Sequence, residues 1–234
     1  VMPRVSSLLN RLIRRRRRPP AALFDADRYL RLYRDVALAG VDPAEHYVVH
    51  GWREGRSPHL LFDARWYGRQ CGEAPPGDPL ADYASRGWRA AASPHPLFDV
   101  AHYRRQLGAA PGVADLIHYL TVGWRRSIDP HPYFSVRHYL LHSPEIGDAG
   151  IEPLTHYLGA GAAEDRPVHP EFDSAFYRAA YLLDVRDDCV PLVDFAIGGW
   201  VLGRRPRADA GPAWREAAFR RLGPQAALTA CAIG

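Results

Sequence analysis

Residues 23–59 read LFDADRYLRLYRDVALAGVDPAEHYVVHGWREGRSPH, and the chain of 234 residues carries this pattern four more times. The Phe that opens each copy recurs at steps of 38, 36, 36 and 38 residues. A fixed period of this length is typical of repeat arrays, in which neighbouring units stack and bury a shared core. The sequence therefore predicts an all-α, solenoid-like tandem array of five helix-pair repeats of about 36–38 residues each.

Aromatic residues occupy fixed positions in the copies. A Tyr follows the opening Phe by five residues, and a second aromatic precedes a Gly by four. A Trp follows that Gly, except in the fourth copy, where Ala162 replaces it and looser packing is expected. Such side chains bury large apolar areas, so we expect them to form the repeat core. The predicted core is Phe24, Tyr29, Tyr47, Trp52, Phe62, Tyr67, Tyr83, Trp88, Phe98, Tyr103, Tyr119, Trp124, Phe134, Tyr139, Tyr157, Phe172, Tyr177, Phe195 and Trp200.

Each copy reads as two short helices. Asp25 and its counterparts suit the N-cap of the first helix, and the flanking Phe and Tyr have the spacing of a hydrophobic staple. Asp42 suits the N-cap of the second helix, and Pro43 suits its first position. The Gly after the second aromatic is predicted to end this helix in a left-handed conformation. These glycines are Gly51, Gly87, Gly123, Gly161 and Gly199.

The pattern predicts three kinds of segment. A basic segment covers residues 1–20, and a C-terminal segment covers residues 207–234. The latter contains one predicted helix, over residues 213–222, which would cap the array. The repeats lie at about 21–58, 59–95, 96–131, 132–169 and 170–206.

Positive charge is concentrated at the start of the chain. Residues 1–20 hold seven Arg and no acid, which leaves 23 of the 30 basic residues against all 26 acidic ones, a net charge of −3. Three interpretations remain open for this segment: a solvated tail, a contact with an anionic membrane surface, or a contact with nucleic acid. The residues that would make a membrane or polyanion contact are Arg11, Arg14, Arg15, Arg16, Arg17 and Arg18.

Histidines recur at two positions. His46, His118 and His156 precede the second aromatic, where Asp82 and Asp194 stand in the other two copies. An exchange of His with Asp favours a hydrogen-bonding role. Metal ligands must converge on one ion, whereas equivalent residues of stacked repeats lie a repeat apart. The second set could instead form a ligand-facing row. It consists of His59, His95, His131 and His169.

Other chemistry is not indicated. Asp25-Ala-Asp27 has the D-x-D form of a cation site, but Asp25 is better explained as an N-cap, and the other copies lack the second Asp. Cys71, Cys189 and Cys231 are odd in number and irregularly placed, which favours a reducing compartment. We therefore predict no cofactor, no metal site and no catalytic residue. No apolar run approaches the length of a membrane-spanning helix, and the start has no secretory-signal pattern.

The first copy resembles a known bacterial repeat, FDxxYYLxxNPDVxxxGxxPLxHYxxxGxxEGRxPxP. The resemblance covers about residues 22–206, and copies two to five are looser because they lose NPDV, of which Pro144-Glu145-Ile146 is the one echo. The repeat is found in N-terminal parts of glycosyltransferases of surface polysaccharide (rhamnan-type) synthesis and in some large calcium-binding secreted proteins. It carries no known catalytic residue. The residues that match are Phe24-Asp25, Tyr29-Leu30, Asp35-Val36-Ala37, Gly40, Pro43, His46-Tyr47, Gly51, Glu54-Gly55-Arg56 and Pro58-His59.

The resemblance implies a non-catalytic interaction module of surface-polysaccharide glycosyltransfer. Together with the basic segment, it implies a cytoplasmic location, peripheral at the inner membrane, with a protein partner or a glycan as ligand. One alternative is the N-terminal part of a glycosyltransferase whose catalytic domain lies beyond this sequence. A weaker alternative is nucleic-acid binding through the Arg-rich start.

Overall fold

A computed structural model of the chain describes residues 18–71, 77–183 and 189–230, with side chains up to residue 223. Within these ranges the structure is helical and contains no strand. The predicted all-α fold of helix-pair repeats is confirmed. Contacts divide the chain into two compact units, Val1–Pro94 and His95–Gly234. Repeats one and two belong to the first unit, and repeats three to five with the C-terminal helix belong to the second.

The first helix of each repeat begins at the predicted cap. The Asp25 carboxylate accepts the Arg28 N–H at 2.8 Å, and the residue at this position caps the first helix in all five copies, with Ser135 serving in the fourth. These caps satisfy N–H groups that have no partner within the helix. The five first helices are Ala26–Leu32, Ala64–Gln70, Val100–Leu107, Val136–His142 and Ser174–Tyr181.

The predicted staple packs in every repeat. Ring centroids of the Phe and of the Tyr five residues later lie 5.2 to 5.8 Å apart. The second aromatic meets the same Tyr edge-on, at interplanar angles of 81 to 88°, which is a favoured geometry for aromatic pairs. Most of the predicted core side chains are buried, and three of them, Phe24, Trp52 and Trp88, are half-buried.

The second helix of each repeat is a single α-turn that continues as a π-turn. The α-turns are Pro43–His46, Pro79–Asp82, Asp115–His118, Pro153–His156 and Pro191–Asp194. The π-turns are Tyr47–Gly51, Tyr83–Gly87, Tyr119–Gly123, Tyr157–Gly161 and Phe195–Gly199. Side chains cap this helix in three copies, from Asp42, Asp78 and Glu152, but not from Ala114 or Val190.

The prediction that Gly51 and its counterparts end the second helix in a left-handed conformation is wrong. None of the five has a positive φ. The left-handed residue lies four positions later, at Gly55 in the first copy, and at Ala91, Ser127, Asp165 and Gly203 in the others. At this position the N–H of Arg56 donates to the Gly51 carbonyl at 2.9 Å, and the N–H of Gly55 donates to the Trp52 carbonyl at 3.3 Å. This is a Schellman motif, and all five repeats have both bonds.

Each repeat is closed by a backbone hydrogen bond between its two ends. The N–H of Asp25 donates to the Pro58 carbonyl at 3.0 Å, and the equivalent bond in the other four repeats measures 2.8 to 2.9 Å. The chain turns back immediately afterwards, where the Phe62 N–H donates to the His59 carbonyl at 3.1 Å. The repeat is therefore a closed structural unit.

The linker is bonded to the first half of the repeat in two alternative ways. In repeat one the Tyr33 hydroxyl accepts the Ser57 N–H at 2.8 Å, and Arg56 forms a two-bond ion pair with Asp35. Repeats two and three lack both contacts. There the amide of Gln70 bonds the backbone N–H and carbonyl of Ser93, and Gln106 bonds residue 129 in the same way.

Repeats one and four also have an additional short helix, Arg34–Ala39 and Pro144–Asp148. Two short 3₁₀ turns, Ala21–Leu23 and Trp124–Arg126, complete the repeat elements of the described ranges. The C-terminal helix covers Trp214–Ala230 and breaks at Gly223, which has a φ of 69° and a ψ of 172°. Its Phe219 ring lies 6.1 Å from the Trp200 ring, and its Arg221 pairs with Glu171, so it packs on repeat five.

We expect Ala91→Gly to raise the free energy of unfolding by about 1 kcal/mol, because a left-handed alanine carries a steric cost that glycine avoids. Urea denaturation of the full chain would measure the change. Ala90→Gly is the matched control: Ala90 has no positive φ, so this variant should lose about 0.5 kcal/mol. Equal effects of the two substitutions would contradict the assignment.

Candidate functional site

The recurrent polar side chains meet inside each repeat. The hydroxyl of the first-helix Tyr shares a hydrogen bond with the His or Asp that precedes the second aromatic, at 2.5 to 3.0 Å. His Nδ1 and an Asp carboxylate oxygen fill the same place, which explains why the two residue types exchange. The five pairs are Tyr29–His46, Tyr67–Asp82, Tyr103–His118, Tyr139–His156 and Tyr177–Asp194.

The recurrent glycine makes room for this hydroxyl. A Cβ at Gly51 would meet the Tyr29 oxygen at 2.2 Å, and the corresponding distance in the other four repeats is 1.9 to 2.2 Å. No side chain fits at such a separation without displacing the tyrosine. The glycine is therefore required by the close approach of the Tyr hydroxyl, and not by a left-handed backbone.

Burial favours the neutral forms of both partners in the three Tyr–His pairs. It raises the pKa of Tyr103 far above its usual value and lowers the pKa of His118. The same directions hold in the other two Tyr–His pairs. The arrangement is suited to holding the two helices of a repeat together.

In repeats one and three the second aromatic is bonded to the following repeat. The Tyr47 hydroxyl donates to the Asp78 carboxylate at 2.9 Å, and Tyr119 donates to Glu152. Asp78 and Glu152 are also the N-caps of the second helix in the following repeat, so one carboxylate serves both contacts. Burial raises the pKa of Glu152. The sequence analysis missed this connection, although an acid directly before the proline was its visible signal.

The linker histidines stabilise the turn between repeats. In each of the four, Nδ1 accepts the backbone N–H two residues later, at 3.0 to 3.2 Å. His59, His95 and His131 are buried, whereas His169 is half-buried. Burial lowers the pKa of His131 to about 3 and that of His59 to about 4. These contacts give the row a structural role, and they leave three of its four rings without access to a ligand.

Most of the predicted polyanion contact, Arg11 and Arg14 to Arg17, lies outside the described residues. Arg18 is described, and its guanidinium pairs with the exposed Asp42 carboxylate at 2.8 Å. Asp42 uses its other oxygen to cap the second helix of repeat one. The last arginine of the basic segment is thus held beside the start of that helix.

A second set of arginines forms a surface feature that the sequence analysis did not identify. In repeats one to three the residue after the Trp is an exposed Arg whose guanidinium lies over the indole ring. We call these residues the stacked arginines. They are Arg53 on Trp52 at 4.4 Å, Arg89 on Trp88 at 4.7 Å and Arg125 on Trp124 at 4.3 Å. The signal in the sequence was the tripeptide Gly-Trp-Arg, which occurs in these three copies.

Within the described ranges, no three His, Cys, Asp or Glu side chains are grouped as a metal ion would require. Among the same residues, no helix combines the length and the apolar character needed to cross a membrane. Cys71 is exposed, and Cys231 lies outside the described ranges.

Comparisons of the chain with protein-family models, with curated proteins and with solved structures gave no match.

Gly123→Ala should lower the free energy of unfolding by about 3 kcal/mol, because its Cβ would lie 2.0 Å from the Tyr103 hydroxyl oxygen. Tyr103→Phe alone should cost about 1 kcal/mol through the lost hydrogen bond. The double variant should lose less stability than the sum of the losses in the two single variants, and a double-mutant cycle would measure the difference. Gly68→Ala is the control: nothing lies within 4 Å of its Cβ, so helix propensity should make it neutral or stabilising. Simple additivity would contradict the contact.

Three linker histidines, His59, His131 and His169, predict acid sensitivity. Burial lowers their folded-state pKa values below the ordinary value of about 6.5, so the unfolded chain binds more protons as the pH falls. Stability should therefore be fully present above pH 6.5 and decrease towards pH 4. His131→Asn keeps an acceptor for the turn but cannot titrate. It should reduce the loss between pH 7 and 4.5 by about 2 kcal/mol, measured by denaturation at each pH.

If His131→Asn retained the full acid sensitivity of the original chain, another group would be responsible.

Proposed function

We propose that this chain is a non-catalytic helical-repeat interaction module associated with bacterial surface-polysaccharide glycosyltransfer. It works at the cytoplasmic face of the membrane as a peripheral protein. Its partner is a protein of the glycosyltransferase machinery or a glycan. The resemblance of the first copy to a repeat of such glycosyltransferases suggests this setting, and the helical repeat architecture is compatible with it.

The observation that carries the proposal is the internal use of the recurrent polar groups. The Tyr, His and Asp side chains that a catalytic site would draw on are bonded within repeats, as in the Tyr103–His118 pair. The carboxylates before the second helix are bonded between repeats, as in the Tyr47–Asp78 pair. A set of repeats stabilised in this way is a scaffold that offers similar surfaces several times over, which is how repeat proteins bind extended partners.

The basic segment supports the membrane part of the proposal. Its seven arginines within 20 residues contrast with the net charge of −3 on the rest of the chain. Arginines near an anionic surface each contribute about 1 kcal/mol to binding. The array itself is mildly acidic and is not attracted to such a surface, so attachment depends on the segment.

Liposome co-sedimentation tests this dependence. The full chain should sediment with vesicles that contain anionic lipid and stay in solution with neutral vesicles. A full-length variant with Arg11, Arg14, Arg15, Arg16 and Arg17 changed to Gln should stay in solution with both kinds of vesicle. The bound fraction should also fall as salt is added, because the attraction is screened.

The matched control changes five arginines of the array to Gln and should still sediment with anionic vesicles. Suitable positions are Arg31, Arg34, Arg65, Arg105 and Arg137, which are all exposed. Equal sedimentation of the original chain and of the full-length variant with Gln at positions 11 and 14–17 would contradict the membrane assignment. Glycosyl transfer by the purified chain would contradict the non-catalytic assignment.

A further inference from the structure

The stacked arginines are held in one orientation. Besides lying over the indole, each donates from Nη1 to the backbone carbonyl four residues earlier: Arg53 to Val49 at 2.6 Å, Arg125 to Thr121 at 3.0 Å, and Arg89 to Ser85. A cation–π contact and a hydrogen bond together restrict the guanidinium before any ligand arrives. Pre-ordered side chains bind with a smaller loss of conformational entropy.

The edge of each guanidinium that carries Nε and Nη2 is not bonded to another described residue. Within the part of the chain that the structure describes, no hydrogen bond or ion pair is formed by Nε or Nη2 of Arg53, Arg89 or Arg125. Many other arginines of the chain are paired with acids, including Arg56, Arg166 and Arg204. The stacked arginines therefore expose two parallel donors to solvent.

This chain already shows what that edge binds. Arg104 uses Nε and Nη2 to hold both carboxylate oxygens of Asp115, at 2.8 and 2.7 Å. The fork of a guanidinium matches a carboxylate in this two-bond geometry, which a lysine cannot reproduce. The unused edge of the stacked arginines has the same two donors and is accessible from outside.

We propose that the stacked arginines of repeats one to three are binding sites for the carboxylates of an acidic glycan, with one uronic-acid carboxylate for each arginine. This inference rests on the proposed function in that it names the class of glycan that the module binds. The first unit holds two of these sites, Arg53 and Arg89, and the second unit holds Arg125.

The distribution of charge favours a sparsely charged ligand. Each site has one stacked cation, whereas residues 21–234 together carry a net charge of −3. Dense polyanions such as nucleic acids require many neutralising contacts, and this surface would repel them. A glycan with one carboxylate per sugar matches isolated guanidinium groups.

The residues beside two of the sites favour a glycan. The residue four positions before each stacked arginine is Val49, Ser85 or Thr121, and all three are exposed. Ser85 and Thr121 carry hydroxyl groups that can bond to sugar hydroxyls. Arginine clusters also recognise acidic peptides, so polyglutamate is a competitor in the test.

The test measures binding of polymannuronate oligosaccharides by calorimetry to the full chain in which Arg11 and Arg14 to Arg17 are Gln, so that the basic segment does not contribute. We expect binding to the polyuronate and none to neutral dextran. The triple variant Arg53→Gln, Arg89→Gln, Arg125→Gln should raise the Kd about tenfold or more. The corresponding Arg→Lys triple should also bind weakly. Lysine keeps the positive charge but lacks the two parallel donors of the guanidinium.

The matched control is Arg65→Gln, Arg105→Gln, Arg137→Gln, which removes the same charge from exposed positions on the first helices. It should change the Kd by less than about twofold. Circular dichroism of both triple variants would check that they remain folded. Equal losses in the two triples, or no binding by the unsubstituted array, would overturn the proposal. Tighter binding of polyglutamate, polyphosphate or anionic vesicles through the stacked arginines would overturn the assignment to a glycan.

The two proposals fail separately. Membrane attachment through the basic segment does not depend on the stacked arginines. If polyuronate binding is absent while segment-dependent sedimentation persists, the carboxylate sites are wrong and the proposed location is unaffected.

Discussion

The contact on which each repeat depends is the Tyr hydroxyl held between a glycine and a His or Asp. The first-helix Tyr is fully buried in all five copies, so its hydroxyl must find a partner away from water. It finds one on the second helix, and it can reach that partner only because the glycine has no Cβ. One hydrogen bond thus sets the distance between the two helices, and the Phe and the second aromatic pack around the same ring.

The repeats vary in how they secure their linkers. In copies one and four an arginine of the linker pairs with an acid of the first half, Arg56 with Asp35 and Arg166 with Glu145. Copies two and three have Ala92 and Ile128 at the position of that arginine, and in both a glutamine amide bonds the linker backbone instead. The linker is therefore bonded to the first half of the repeat in these four copies, by one of two side-chain contacts.

The polar side chains of the interior differ from those of the surface in how they are bonded. The recurrent Tyr and His side chains are buried or bonded, and burial raises the pKa of Tyr103 and lowers the pKa of His131. The stacked arginines differ, because each is fixed by its own helix and still presents two donors to solvent. The proposed ligand contacts therefore use an exposed position, outside the buried core of the repeat.

The sequence by itself determined the helix pairs, the caps and the aromatic core, because these depend on spacing along the chain. Phe24, Asp25 and Tyr29, for example, lie within six consecutive residues. It could not show why Gly123 recurs, since the reason is a hydroxyl that comes from another helix, 20 residues earlier in the chain. The π-turns and the carboxylates shared between repeats likewise exist only once distant segments meet. Local interactions are encoded in adjacent residues, whereas contacts between helices depend on distances that only the tertiary structure decides.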